Sequence, residues 1–265
     1  MRMGVIGCAG RMGRMLMAEI AAAEGCDLAG GTAKPGSAYV GADLGELAGI
    51  GRIGLFAGNA PGKLIGDSDV VIEFSTPSAT AAHVALATEQ GTPVVIGTTG
   101  LSAAETASLR EAAKRIPIVW AANTSLGINL LLGLVEQVAA RLGPDWDIEI
   151  MEMHHRGKVD APSGTALALG RAAAAGRGTS LDEVAQRGRD GITGARRSGD
   201  IGFASLRGGD AVGDHHVVFA GAGERLELSH RATNRAIYAK GAVRAARWVI
   251  GRPPGIYGMK EVLEL

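Results

Sequence analysis

The chain has 265 residues, 46% hydrophobic and 20% charged, which suits an ordinary globular protein with enough apolar surface to offset its ordering entropy. Lys+Arg and Asp+Glu are 27 each, so the formal net charge is zero and nothing selects for nucleic acid or an anionic membrane as partner. Two cysteines, Cys8 and Cys26, make no disulfide framework, and a reducing cytoplasm is the expected compartment.

Met3-Gly4-Val5-Ile6-Gly7 reads as a short buried strand directly at the start, with no room for a signal peptide. Apolar runs break well before the roughly 18–20 residues that a membrane span needs. Glycine is abundant, 41 of 265, without a three-residue period. Many glycines follow short apolar runs, as in tight strand-to-helix turns.

In chain order, residues 11–23 predict a helix with an apolar stripe through Met12, Met15, Leu16 and Ile20, and residues 27–33 a second strand. Residues 34–67 are glycine-rich and ambiguous. Strands follow at 69–74, 93–96 and 116–121, and helices at 78–90 and 102–114. Ser102 with Glu105 forms a capping box for the second of these helices. Strand–helix alternation at this spacing predicts an α/β fold of Rossmann type, a doubly wound parallel sheet covered on both faces.

Beyond residue 125 the pattern changes. A long helix is predicted over 126–142, an alternating strand over 145–154 and a short helix over 163–175. Residues 176–200 look like an exposed loop. The runs 201–207, 215–220 and 225–230 resemble consecutive antiparallel strands, with a hairpin turn in Ala220-Gly221-Ala222-Gly223. Residues 235–251 return to helix, ended by Gly251 and Pro253-Pro254. This second part reads as an α+β domain with an open sheet.

Four motifs carry chemistry. Gly7-Cys8-Ala9-Gly10-Arg11-Met12-Gly13 lies between a strand and a helix, where glycines let backbone N–H groups approach a pyrophosphate at the positive helix end. The alternative is a tight turn with no ligand. An acidic residue that would hold a ribose 2′-hydroxyl is expected about 20 residues further on. Thr32-Ala33-Lys34 stands there instead, so NADPH is expected to bind at least as well as NADH, unless Lys34 is only a solvated loop charge. Gly97-Thr98-Thr99-Gly100 ends a buried strand and could edge a nicotinamide; otherwise it is a helix-opening turn. Ala121-Ala122-Asn123-Thr124 leaves another strand end, where small residues permit close cofactor approach or form a hinge.

The fourth motif, running from Glu152 to Thr165, is the most specific. It reads Glu-Met-His-His-Arg-Gly-Lys-Val-Asp-Ala-Pro-Ser-Gly-Thr. His154, His155, Arg156 and Lys158 concentrate positive charge and proton donors at a strand end. Ser163, Gly164 and Thr165 open a helix whose hydroxyls and free N–H groups suit a carboxylate. A substrate with two carboxylates fits this set. Adjacent histidines on a strand point to opposite faces, and no thiolate cluster accompanies them, which disfavours zinc, and no metal is expected. His215, His216, His83 and His230 are read as structural.

This motif resembles the dihydrodipicolinate reductase family of lysine and diaminopimelate synthesis. The Gly7 turn, the Gly97 loop and the Ala122-Asn123 segment resemble that family in the same order, as do residues 201–210 and 223–227. The resemblance implies a dinucleotide-binding domain from residues 1–125 and 235–265, with the α+β domain of residues 126–234 inserted for substrate binding and oligomerisation. It implies reduction of 4-hydroxy-tetrahydrodipicolinate to tetrahydrodipicolinate with NADPH or NADH, in a homotetramer. It implies His154 as proton donor and acceptor, His155 as a substrate contact and Lys158 as proton donor. Ser163, Gly164 and Thr165 would hold a substrate carboxylate. The dinucleotide would lie along Gly7, Cys8, Ala9, Gly10, Arg11, Met12, Ala33, Lys34, Gly97, Thr98, Thr99, Ala121, Ala122, Asn123 and Thr124. Ala33 stands where family members often carry an acidic residue, and Thr124 where some carry an aromatic. Two other readings are a different two-domain NAD(P)-dependent dehydrogenase, such as one acting on amino-acid semialdehydes, and a non-catalytic NADP-binding sensor. A thioester-forming dehydrogenase needs a reactive cysteine, and a sensor needs no His-His-x-x-Lys cluster.

Overall fold

The computed structural model describes residues 1–265. The chain divides into two compact units. One is built from Met1–Leu126 with Ala236–Glu264, and the other from Gly127–Arg235 with Leu265.

The first unit carries strands β1 (Arg2–Ile6), β2 (Asp27–Thr32), β3 (Val70–Glu73), β4 (Val94–Ile96) and β5 (Pro117–Trp120). Its helices are α1 (Arg11–Ala22), α2 (Leu44–Ala48), α3 (Pro61–Gly66), α4 (Pro77–Gln90) and α5 (Ala103–Ala112). The capping box at Ser102 forms in both directions. Residues 34–67, ambiguous in sequence, hold α2 and α3. The Asp43 carboxylate ties this segment together by accepting the N–H groups of Gly45, Glu46, Ile53 and Gly54.

In the second unit, α6 (Leu126–Leu142) leads to β6 (Asp147–His154), α7 (Gly164–Gly176), α8 (Leu181–Val184) and β7 (Ala185–Arg187). Strands β8 (Ile201–Arg207), β9 (Gly213–Gly221) and β10 (Glu224–Ala232) follow. The chain then re-enters the first unit with α9 (Ala236–Val249), β11 (Gly255–Tyr257) and α10 (Met259–Val262).

The first sheet has strand order β11-β5-β4-β3-β1-β2, and every pairing is parallel. β3 and β4 are apolar-rich and buried along their whole length, because helices cover both faces. On one side Met3, Val5, Leu16 and Ile20 pack with Ala242, Val243 and Val249 of α9. On the other, Ile6, Val71 and Ile96 pack with Val84, Leu109 and Ile116. Each fully buried Val, Leu, Ile or Met side chain among these contributes about 1.5–3 kcal/mol. β1 is flanked by β2 on one side and β3 on the other, so the order reverses there. Ligands of open α/β sheets bind beside the carboxyl ends of strands at such a point.

The second sheet is mixed, with order β10-β9-β6-β8-β7. β9 lies antiparallel to both β6 and β10, and the hairpin joining β9 to β10 turns at residues 222–223 as the glycines predict. Two expectations are corrected here. β8 is not one of three consecutive antiparallel strands: it runs parallel to β6 and to β7. Nor is 176–200 all loop, since it contains α8 and β7. The rest of that segment is tied to β6 through Arg189 and Arg196, which pair with Glu149 and Asp147. Alternation along β6 buries Ile148 and Ile150 with Leu131, Val135, Leu169 and Ala173 of α6 and α7. The opposite face leaves Met151 and Leu206 exposed.

Candidate active site

In the first unit the three segments expected to line a dinucleotide leave the carboxyl ends of β1, β4 and β5. The Gly7 and Cys8 amides donate to the Thr32 carbonyl at 2.9 and 3.0 Å, so the turn is pinned to the end of β2. Gly7 adopts φ +86°, and a Cβ at Gly13 would overlap the Gly7 carbonyl oxygen, so glycine is required at both. Gly10 caps α1 without a side chain, which leaves the first amides of that helix unpartnered within it. This is a cradle that a dinucleotide phosphate fits. Gly10 and Arg11 are exposed on it, Ala9 and Met12 are half-buried, and Cys8 is buried. Burial pushes the Cys8 thiol up to about 11, which leaves it unreactive.

Ala33 is buried just past β2, with Lys34 exposed beside it. Of the Gly97 loop, Thr99 is exposed, whereas Thr98 turns inward and its hydroxyl donates to Glu73 at 2.6 Å. What Thr98 offers a cofactor is therefore backbone. Glu73, fully buried at the end of β3, also accepts from Thr80 at 3.1 Å and from the Ser75 hydroxyl, with His83 Nδ1 at 3.3 Å. Burial alone would raise its pKa, but hydrogen bonds from His83, Ser75 and Thr98 outweigh this and hold it below the ordinary carboxylate value. His83 is thus structural, as expected, and Glu73 is a missed organiser of the strand ends. Thr124 is buried, and its hydroxyl donates to the Tyr238 carbonyl at 2.7 Å. Ala121 and Asn123 are half-buried and Ala122 is exposed.

In the second unit, β6 ends in the His-His motif. Glu152 is 1% exposed and is surrounded by hydrogen-bond donors. His154 Nδ1 lies 2.6 Å from Oε2, the Ser163 amide donates to Oε1 at 3.2 Å, and Arg207 reaches both oxygens at 2.8 Å. Burial would raise this carboxyl, yet Arg207, His154 and Ser205 hold it down to about 2. A carboxylate can only accept, so the His154 proton sits on Nδ1 and Nε2 is left for a substrate. Glu152 therefore links the imidazole to the turn that opens α7.

His155, on the neighbouring position, pairs through Nε2 with the Arg235 guanidinium at 3.5 Å. Lys158 Nζ donates to Asp160 at 2.7 Å, and its amide returns to the His155 carbonyl at 3.0 Å. Arg207 also donates to the Asp160 carbonyl, so the same guanidinium fastens the loop between the two halves of the motif. Ser163 is the N-cap of α7, its Oγ accepting from the Ala166 amide at 3.1 Å. Gly164 is exposed, and a Cβ there would meet nothing within 4 Å. Thr165 is half-buried beside it.

The reading of His215 as structural needs amendment. Alternation along β9 does turn it inward, but there its Nε2 meets Ser163 Oγ at 3.1 Å and its ring meets His154 edge-on at 5.2 Å. His216 faces the other way and pairs with Ser229. Glu152, Arg207, His215 and Arg235 were not assigned site roles from sequence. Glu152 lies within the motif and His215 on the inward phase of its strand, so both carried a signal. Arg207 lies in the 201–210 stretch that resembles the family, without a role attached to it, and Arg235, remote in sequence, carried no signal.

A parallel sheet with a glycine turn at its reversal point, joined in one chain to a carboxylate-organised histidine site, defines a Rossmann-type oxidoreductase. Comparison with known proteins narrows the class. Residues 1–124 match the model described as "Dihydrodipicolinate reductase, N-terminus", and residues 127–263 the one described as "Dihydrodipicolinate reductase, C-terminus". The chain belongs to the dihydrodipicolinate reductase family. It is 54% identical over 262 residues to the 4-hydroxy-tetrahydrodipicolinate reductase of Magnetococcus marinus, covering 99% of this chain and 98% of that one. It is 55% identical over 260 residues to the enzyme of the same name from Parvibaculum lavamentivorans, covering 98% and 96%. In fold it is similar to a dipicolinate-bound dihydrodipicolinate reductase from Paenisporosarcina, with TM-score 0.79, 24% identity and 97% coverage of each chain. No helix is long and apolar enough to cross a membrane.

Proposed function

We propose that this chain reduces 4-hydroxy-tetrahydrodipicolinate to tetrahydrodipicolinate in lysine and diaminopimelate synthesis, with NADPH at least as effective as NADH. The carrying observation is the buried Glu152 carboxylate, which holds both His154 and the Ser163 turn. Substrate and product differ by the 4-hydroxyl, so a hydride and a proton are consumed and that hydroxyl leaves as water. When bound, the nicotinamide nucleotide supplies the hydride to C4. Gly7, Cys8, Ala9, Gly10, Arg11 and Met12 would hold its phosphates. Gly97, Thr98, Thr99, Ala121, Ala122, Asn123 and Thr124 would line it further along.

His154 exchanges the proton through Nε2, fixed in that tautomer by Glu152. Lys158 is the second donor, steered by Asp160. One substrate carboxylate lies on Ser163, Gly164 and Thr165 at the positive end of α7. His155, paired with Arg235, contacts the substrate beside it. These fixed charges stabilise the dianion and draw electron density from the ring. The absence of a carboxylate at Ala33 and the exposed Lys34 support use of the 2′-phosphorylated nucleotide.

A homotetramer is part of the proposal. The open face of the second sheet, with exposed Met151 and Leu206, supports burial against other copies. Light scattering should give a particle of four chains of 27.0 kDa each. Both cysteines are free, in keeping with a cytoplasmic location.

The test is oxidation of NADPH and NADH, followed at the nicotinamide band, with substrate generated in situ by the preceding synthase. Synthase-dependent oxidation is expected. No oxidation of either nucleotide by protein that binds NADPH would overturn the proposal in favour of a sensor.

A further inference from the structure

Ser163 Oγ lies 3.1 Å from the Ala166 amide and 3.1 Å from His215 Nε2. A hydroxyl has one proton and two lone pairs. The Ala166 N–H takes one lone pair. Either the Ser163 proton then donates to a bare Nε2, or an Nε2–H fills the second lone pair. The two arrangements differ in what is left for a ligand. In the first, the hydroxyl proton is already used. In the second, both lone pairs are used and the proton can only be given away.

His215 itself discriminates between them. It is 3% exposed, and its Nδ1 is buried without a hydrogen-bond partner. Burial, then the charge of nearby His154, pushes its pKa down to about 4, so the ring is neutral and has one proton to place. A proton on Nδ1 would leave a buried N–H donor unsatisfied, which costs about 1–3 kcal/mol. On Nε2 the same proton meets Ser163 Oγ.

We infer that His215 is a positioning residue whose Nε2–H saturates the Ser163 oxygen, so that the Ser163 hydroxyl is committed to donating to a carboxylate oxygen of the substrate. This rests on the reading that the Ser163 turn holds a substrate carboxylate. It makes the turn selective for an anionic acceptor, and it gives His215 a role in affinity for substrate rather than in proton transfer.

The experiment has two arms on the full-length, NADPH-loaded protein. Long-range 1H–15N NMR of the imidazoles, with His215 assigned by its loss in H215Q, should show the neutral Nε2–H tautomer at about pH 7. An Nδ1–H tautomer overturns the inference. Calorimetry with pyridine-2,6-dicarboxylate forms the second arm. S163A should weaken binding about tenfold and H215L about fivefold, the cost of one misdirected charge-assisted bond. H215Q, which carries an amide N–H in place of Nε2–H, should bind within about threefold of the parent. In turnover, H215L should raise KM for substrate with kcat within about threefold. Unchanged affinity in folded H215L overturns the inference alone. Unchanged affinity in folded S163A overturns the reading of the turn as well, so the two failures are distinguishable. If H215L does not fold, the tautomer and H215Q still decide.

Discussion

Arg207 grips Glu152 from the end of β8 with both terminal nitrogens, one on each carboxylate oxygen, each at 2.8 Å. The pairing keeps a 1% exposed carboxylate charged while leaving it lone pairs for His154 and the Ser163 amide.

This arrangement ties stability to pH. The Glu152 carboxyl is held at about 2 against an ordinary 4.5. A carboxyl depressed in the folded state contributes stability that is whole above the unfolded pKa and is lost as pH falls toward the folded one. The chain should therefore lose stability between about pH 4.5 and 2, and E152Q should show a flatter pH dependence across that window. Urea unfolding at several pH values checks this; parallel curves for the two proteins would contradict it. R207M, which leaves the buried carboxylate unpaired, should cost about 3–5 kcal/mol near neutral pH.

Proton transfer should fail when its donors are removed. K158A is expected to lower kcat at least about tenfold, and H154A similarly, or more mildly if water substitutes for the imidazole. Steady-state kinetics with saturating NADPH measure both. A near-parental kcat in K158A would remove Lys158 from the mechanism.

Nucleotide preference should follow the chemistry at the end of β2. The dissociation constant for NADPH should be no larger than that for NADH. K34A should weaken NADPH about two- to fivefold and leave NADH unchanged, the scale of an exposed ion pair. Fluorescence titration of the reduced nucleotides reads both. NADPH binding tenfold weaker than NADH would refute the argument.

Two glycines should respond in opposite ways to an added methyl. At Gly13 a Cβ would lie 2.7 Å from the Cys8 Cα and overlap the Gly7 carbonyl oxygen, so G13A should cost about 1–3 kcal/mol or more and abolish nucleotide binding. At Gly164 a Cβ would meet nothing within 4 Å. G164A should keep its melting temperature and lose affinity for pyridine-2,6-dicarboxylate, since the methyl stands where a carboxylate would approach. Thermal melts and calorimetry separate the two effects.

The parallel sheet of the first unit was legible because its strands are continuous apolar runs ended by glycine turns, a pattern that both-face burial produces. The helix over Leu126–Leu142 and the Ser102 capping box were legible for equally local reasons. The partnering of β8 was not. Its residues suit either strand direction, and the choice is made by β6, which lies some fifty residues earlier. β7 reads Ala-Gln-Arg and carries no β-branched or aromatic residue to announce it. At the site, His154, Lys158 and Ser163 stood in one motif, whereas Arg207 and His215 reach it only through strand register. That register is long-range information, and local periodicity does not contain it.

The return of the chain to its first unit has a consequence for synthesis on the ribosome. When only the first 235 residues have emerged, every strand of the second sheet is already present. The first sheet at that moment lacks α9, whose Ala242, Val243 and Val249 fill one side of its core, and β11, which pairs with β5. The nascent chain thus carries an unfilled apolar face and an unpaired parallel edge until α9 and β11 arrive. The unit begun first is the unit completed last, and in that interval its open apolar face and strand edge are the surfaces on which a newborn chain can associate with another.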